Sequence, residues 1–127
     1  KIKEMLIKKN PKKMHLIEKD ENVVNWVKNK FTKNLNIINE DILKFSKRDL
    51  LNNESIIFGN LPYNISSQIL VKFIINKNKF KFKKMIFMFQ KEVADRILAE
   101  FNTRNYGRIS ILSSWKMEIE KIIGVTY

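Results

Sequence analysis

The chain has 127 residues, a hydrophobic content of 44% and a formal net charge of +12 at pH 7, which together indicate one globular domain and favour a polyanionic partner such as RNA. Because the sequence contains no cysteine and a single histidine, His15, it excludes disulfides, thiolate metal sites, multi-histidine metal centres and histidine-based catalytic triads. No apolar run approaches the length of a membrane span, so we expect no membrane partner. We also expect a cytoplasmic monomer that binds no metal.

Short apolar segments and helical patterns alternate along the first half of the chain. Apolar residues have helical spacing over 1–10, and the Asn10-Pro11 pair ends that predicted helix. A strand is predicted at 14–17, followed by a helix over 20–31 with Asp20 as its N-cap. The next strand is predicted at 35–38.

The second half continues the alternation. A buried strand is predicted at 55–58, then a helix to about residue 75 that is capped by Ser66 or Ser67. A continuous apolar run predicts a strand at 84–89 that is buried on both faces. Two helices, at 92–100 and 107–115, and an edge strand at 117–120 complete the prediction. Strands that alternate with helices indicate an α/β fold with a mostly parallel sheet.

The tetrapeptide Asn60-Leu61-Pro62-Tyr63 follows the third predicted strand, at the sheet edge where open α/β folds bind ligands. The tetrapeptide resembles the form that amino-group methyltransferases use to hold a flat base. In that form the Asn60 side-chain oxygen and the Leu61 carbonyl each accept an N–H bond from an exocyclic amino group of adenine, which draws the nitrogen lone pair out of conjugation with the ring. Pro62 restricts the turn, and Tyr63 offers a ring on which an extruded base can stack. The alternative is that the tetrapeptide is only a turn that ends a strand.

Three blocks in one register carry a family resemblance: Ile57-Phe58-Gly59-Asn60-Leu61-Pro62-Tyr63-Asn64-Ile65-Ser66-Ser67, Met88-Phe89-Gln90-Lys91-Glu92-Val93-Ala94-Asp95-Arg96-Ile97 and Asn105-Tyr106-Gly107-Arg108-Ile109-Ser110. With them the chain resembles, over essentially its whole length, the ribosomal RNA adenine dimethyltransferases that modify small-subunit rRNA. The resemblance implies a Rossmann-like class I methyltransferase that uses S-adenosylmethionine. It further implies dimethylation of adenine N6 in small-subunit rRNA of a pre-30S ribosomal particle.

Polar residues follow three successive predicted strands: Glu18, Asp41 and Asn60. The carboxyl ends of parallel strands meet at one edge, so we expect these side chains to converge on one crevice. The resemblance implies that Glu18 binds the ribose of S-adenosylmethionine, that Asp41 and the Ile42 backbone N–H read its adenine, and that Asn60 also lies beside the cofactor. Alternatively, Glu18 is a solvated strand end and Asp41 an N-cap of the following turn.

The remaining candidates concern RNA. The resemblance places Gln90 beside the target-base cleft, and Arg108 is a candidate phosphate ligand. Glu92 and Arg96 are four residues apart and are interpreted as a surface ion pair. The lysine-rich segment 76–84 is interpreted as a solvated basic loop that can also touch phosphates. Lysines outnumber arginines by 21 to 4, as is typical of AT-rich coding sequences, so part of the excess charge reflects composition.

The family's glycine-rich cofactor loop has no counterpart, because the only glycines are Gly59, Gly107 and Gly124. We therefore expect residues 1–127 to be the central part of a methyltransferase catalytic domain, without that loop and without the family's C-terminal helical domain. One alternative is a non-catalytic RNA- or DNA-binding relative of the same fold, such as the mitochondrial transcription factors. Another is a large-subunit rRNA methyltransferase of the erythromycin-resistance type, although those enzymes typically carry Ile at the position of Leu61.

Overall fold

The computed structural model describes residues 8–9, 11–31 and 35–122, and most of the helix predicted at 1–10 lies outside these ranges. Residue contacts divide the chain into two compact units, Lys1–Leu50 and Leu51–Tyr127. Within each unit, the described residues contain one two-stranded parallel sheet.

In the first unit, strands β1 (Met14–Ile17) and β2 (Leu35–Ile38) are paired in parallel and joined through helix α1 (Glu21–Lys30). The helix begins as the sequence predicts, because the Asp20 side chain accepts a hydrogen bond from the Asn22 backbone N–H at 2.9 Å. The short 3₁₀ helix Arg48–Leu50 ends the unit. Among the described residues of this unit, the buried apolar side chains are Leu16, Val24, Val27, Ile38 and Phe45.

In the second unit, strands β3 (Ile56–Asn60) and β4 (Lys84–Met88) are also parallel, with Ile56 opposite Lys84 and Asn60 opposite Met88. Helix α2 (Ser66–Ile75) connects them, and helices α3 (Lys91–Ile97) and α4 (Arg108–Lys116) follow β4. One core cluster of the described residues consists of Leu70, Ile74 and Ile97, with these partly buried side chains packed against it: Met85, Phe87, Phe89, Val93, Ile109, Leu112 and Met117.

The two parallel sheets and their helical connections confirm the predicted α/β class. The lysine-rich segment 76–84 is the exposed connection that the sequence predicts. Its aromatic residues attach it to the rest of the unit. Lys77, Lys79 and Lys81 are exposed, whereas Phe80 is buried with its ring 5.5 Å from that of Phe73. The aromatic side chains therefore fix the connection to α2 while the lysines face solvent.

Three details of the second unit differ from the sequence prediction. Neither Ser66 nor Ser67 caps α2, because Ile65 is the N-cap and makes no side-chain cap bond. Residues 117–120 form no strand; Met117 instead packs on the core and its N–H donates to Ser113 O at 3.0 Å, where α4 ends. An alternation of four residues is too short to specify a strand without a partner to pair with.

The third difference is burial. Ile56 and Phe58 on β3 are 42% and 43% exposed, although the sequence predicts a buried strand, and the residues of β4 after Lys84 are only partly buried. Exposed and partly buried residues alternate along β3, which is the pattern of a strand covered on one face.

Candidate functional site

Asn60 is the last residue of β3, and residues 61–65 lead directly from it into α2. The Leu61 N–H donates to Met88 O at 3.4 Å, which extends the pairing with β4 by one residue. The Ile65 N–H donates to Pro62 O at 3.2 Å and closes the turn. The tetrapeptide Asn60-Leu61-Pro62-Tyr63 therefore lies at the carboxyl end of a parallel strand, where the sequence predicts it.

Tyr63 extends from this turn with 70% of its surface exposed. Its backbone is fixed, because the fully buried Ser66 donates a hydrogen bond from Oγ to Tyr63 O at 3.2 Å. The ring is thus free of core packing while its backbone is fixed. This arrangement suits a ring that stacks on an incoming base and does not suit a ring that packs to stabilise the turn.

Gly59 is a site residue that the sequence reasoning missed. A Cβ atom at this position would lie 2.6 Å from Leu61 Cδ2 and 3.1 Å from the ring of Phe87. The Leu61 side chain therefore folds back over the strand into space that only glycine leaves. A glycine inside a strand is the available signal, because it marks a close approach of other atoms to the backbone.

Gln90 lies at the same edge of the sheet as Asn60. It is exposed and is the N-cap of α3, two residues after the end of β4. Because β3 and β4 are parallel and Asn60 is opposite Met88, both polar residues follow the carboxyl ends of the paired strands. The structure thus brings together these two predicted site residues.

Glu18 and Asp41 lie at the carboxyl edge of the sheet in the first unit. The Glu18 N–H donates to Ile38 O at 3.0 Å, and its Oε1 accepts from the Asp20 N–H at 3.2 Å. Asp41 Oδ1 accepts from the Leu43 N–H at 3.0 Å, and Oδ2 is 4.0 Å from Lys19 Nζ. One oxygen of Asp41 therefore caps the following turn, and the partly buried Ile42 lies within that turn.

Asn39, which the sequence analysis does not identify either, connects the turns after β1 and β2 by hydrogen bonds. Its Nδ2 donates to Glu18 O at 3.0 Å and to Lys19 O at 3.1 Å. An Asn that directly follows a strand is common in such turns, but its partners are 20 or more residues away in sequence and cannot be inferred locally. The convergence of Glu18 and Asp41 with Asn60 stays a prediction, because Asn60 belongs to the other unit.

The ion pair on α3 differs from the one expected. Lys91 Nζ is 2.8 Å from Asp95 Oδ2, and no pair between Glu92 and Arg96 is present among the described residues. The hydrogen bond and charge of Asp95 raise the pKa of Lys91. Arg96 instead lines an open pocket together with Arg108, the first residue of α4.

Within the described ranges, no helix is both long and apolar enough to span a bilayer. The same residues contain no cluster of three or more His, Cys, Asp or Glu side chains that can hold a metal ion.

Comparisons with known proteins relate this chain to a single family. Residues 2–126 match the family described as "Ribosomal RNA adenine dimethylase". Proteins named "Ribosomal RNA small subunit methyltransferase A" are similar: that of Pelagibacter ubique is 50% identical over 121 residues, covering 94% of this chain and 46% of the relative. The one from Wigglesworthia glossinidia brevipalpis is 43% identical (94% and 47% covered), and that of Mycoplasma mobile is 39% identical (95% and 46%). The chain spans about half the length of these relatives.

Proposed function

We propose, since this chain belongs to the ribosomal RNA adenine dimethylase family, that it acts in the S-adenosylmethionine-dependent dimethylation of adenine N6 in small-subunit rRNA. Its fold is then the Rossmann-like class I methyltransferase fold, its substrate is the rRNA of a pre-30S particle, and it works as a cytoplasmic monomer. The names of its relatives support the small subunit over the large one.

The observation that carries the proposal is the turn at the carboxyl end of β3. Asn60 ends the strand, and the Leu61 N–H is bonded to Met88 O. The Tyr63 ring is exposed, while the Tyr63 carbonyl is bonded to the buried Ser66. Among the described residues, no group donates a hydrogen bond to the Leu61 carbonyl. A side-chain amide, an available carbonyl and an exposed aromatic ring within four residues are the groups needed to hold an adenine by its amino group and its face.

The chemistry follows from these groups. An adenine amino nitrogen is a weak nucleophile because its lone pair is delocalised into the ring. The Asn60 side-chain oxygen and Leu61 O accept its two N–H bonds, localise the lone pair and orient it, while Tyr63 stacks on the flipped base. Gly59 leaves the space that the Leu61 side chain occupies, and Ser66 fixes the backbone of Tyr63.

The residues at the edge of the first sheet fit a nucleoside cofactor. Carboxylate oxygens of Glu18 accept from ribose hydroxyls, and Asp41 Oδ2, which is 4.0 Å from Lys19 Nζ, accepts from an adenine amino group. The Ile42 N–H is proposed to read a ring nitrogen, and Asn60 is proposed to border the same cofactor. When bound, S-adenosylmethionine supplies a methyl group that is carried on a sulfonium sulfur. The thioether formed on methyl transfer is a good leaving group.

The substitution Asn60→Ala in the full-length protein tests the proposal. We expect at least about a 10²-fold loss of methyl transfer, because one of the two preorganised acceptors is removed. Transfer is measured with tritiated S-adenosylmethionine and unmethylated small subunits, and melting temperature is measured on the same protein. Asn53→Ala, at an exposed turn before β3, is the matched control. Near-normal transfer by Asn60→Ala contradicts the proposed role, and an inactive wild-type protein favours a non-catalytic relative.

A further inference from the structure

An open pocket of about 350 Å³ lies among α2, α3 and α4 in the second unit. Its lining is mainly apolar, from Val71, Val93, Ile109 and Leu112. Its polar groups are the Ser67 hydroxyl and two guanidinium groups, those of Arg96 and Arg108. An apolar lining with a few cationic groups is the composition of a site for a small ligand that carries negative charge.

The two arginines are available to a ligand. Both are exposed, and neither forms an ion pair with a carboxylate in the part of the chain that the structure describes. Asp95, on the same helix as Arg96, is held by Lys91 at 2.8 Å. Asp95 is therefore paired with Lys91 and not with either arginine.

The residue type is informative as well. The chain contains 21 lysines and 4 arginines, yet both cations that line the pocket are arginines. A guanidinium group is planar, binds phosphate oxygens through two parallel N–H groups and stacks on bases, whereas an ammonium group is a point charge. The pocket thus has the cation that suits a nucleotide in a chain that otherwise uses lysine.

The pocket is close in sequence to the proposed target-base site. Ser67 is the second residue of α2, which begins directly after the turn that contains Asn60 and Tyr63. Val93 is the third residue of α3, whose N-cap is Gln90. The pocket and the proposed target-base site are therefore built from the same two strand–helix connections, those that follow β3 and β4.

We propose that this pocket binds an unpaired nucleotide of the substrate RNA that flanks the target adenine. Arg96 and Arg108 bind its phosphate, Ser67 donates to or accepts from its ribose, and its base lies against the four apolar side chains. Single-stranded RNA is recognised in this way, with phosphates on cations and bases on flat or apolar surfaces. The inference rests on the proposed function for the identity of the RNA and adds a binding site to it.

The test compares Arg96→Ala, Arg108→Ala and Arg104→Ala in the full-length protein. Arg104 is an exposed arginine in the loop before α4 that does not line the pocket, so its loss removes the same charge. Binding is measured by fluorescence anisotropy with a short single-stranded RNA and with the same strand in a duplex, over a range of salt concentrations. Binding of S-adenosylmethionine is measured by calorimetry on every variant.

We expect each pocket variant to bind the single strand about tenfold more weakly and to lower the salt dependence of binding by about one counterion, whereas Arg104→Ala changes neither. The affinity for the duplex should change less than the affinity for the single strand. Equal losses for Arg104→Ala and the pocket variants, or equal losses for single strand and duplex, would overturn the proposal. A wild-type protein that fails to bind S-adenosylmethionine overturns the proposed function instead, which the RNA measurements do not depend on.

Discussion

Tyr63 has an exposed ring on a fixed backbone, so stacking and turn stability are separable at this residue. Stacking requires a ring but no hydroxyl. We expect Tyr63→Phe to retain substantial methyl transfer and Tyr63→Ala to lose it, because stacking contributes about 1–3 kcal/mol per base. Single-turnover rate and melting temperature are measured on both variants. A Tyr63→Ala protein that melts lower but transfers methyl groups at the normal rate rules out stacking.

Gly59 sets the path of the residue that follows Asn60. The Cβ atom of an alanine would meet Leu61 Cδ2 at 2.6 Å, so we expect Gly59→Ala to lower the free energy of unfolding by about 1–3 kcal/mol, as overpacking does. Shortening Leu61 removes the atom that clashes. The double variant Gly59→Ala/Leu61→Ala should therefore be less destabilised than the sum of the two single variants. Denaturant unfolding of the three proteins gives the coupling free energy, and simple additivity would show that the two side chains do not meet.

At the level of elements, the sequence predicts the strands and helices of both units because each strand is a short apolar run next to a helical pattern. Asp20 is predicted as an N-cap because a cap is a local interaction, and it is confirmed. Asn60 and Gln90 lie at the ends of β3 and β4, as expected from the strand prediction, whereas their functional roles stay predictions.

The features that the sequence does not predict depend on distant residues. Gly59 is required by Phe87 as well as by Leu61, and Asn39 bonds to carbonyls of the turn after β1. Ser66 has the residue type of an N-cap, but it is the first residue of α2, is buried, and donates its hydroxyl hydrogen bond to Tyr63 O. Local patterns find where an element begins, whereas the packing around it decides which way its first side chain points.

Helix α4 buries two serines, Ser110 and Ser113, which differ in the hydrogen bonding of their hydroxyl groups. Ser110 is buried, donates to Arg96 O and accepts from the Gly107 N–H at 3.2 Å. Ser113 is fully buried, and its Oγ has no hydrogen-bond partner among the described residues.

We expect Ser110→Ala to lower the free energy of unfolding by about 1–2 kcal/mol, because it leaves buried groups unsatisfied, and Ser113→Ala to be neutral or stabilising. The two substitutions remove the same atom from the same helix, so the difference between their unfolding free energies isolates the hydrogen bonds. Equal destabilisation by both would mean that Ser113 Oγ has a partner in solution.

At the scale of the whole molecule, the positive charge and the acidic side chains of the proposed cofactor site need different explanations. The net charge of +12 favours RNA as a partner, yet Glu18 and Asp41 lie at the carboxyl edge of the sheet in the first unit. Acidic side chains at this edge do not favour phosphates and do suit the hydroxyl and amino groups of a nucleoside. Cofactor binding should therefore respond to the loss of these two carboxylates and depend little on the surrounding lysines.

We expect Glu18→Gln and Asp41→Asn in the full-length protein each to weaken binding of S-adenosylmethionine by about tenfold, since each replaces a charged acceptor with a neutral one. Glu21→Gln is the control, because Glu21 is three residues from Glu18, is exposed and begins α1 without a proposed cofactor contact. Calorimetric titration gives the dissociation constants, and circular dichroism checks that the variants are folded. If Glu21→Gln weakens binding as much as Glu18→Gln does, the cofactor senses the general charge of this edge, and the assignment of Glu18 to the ribose is wrong.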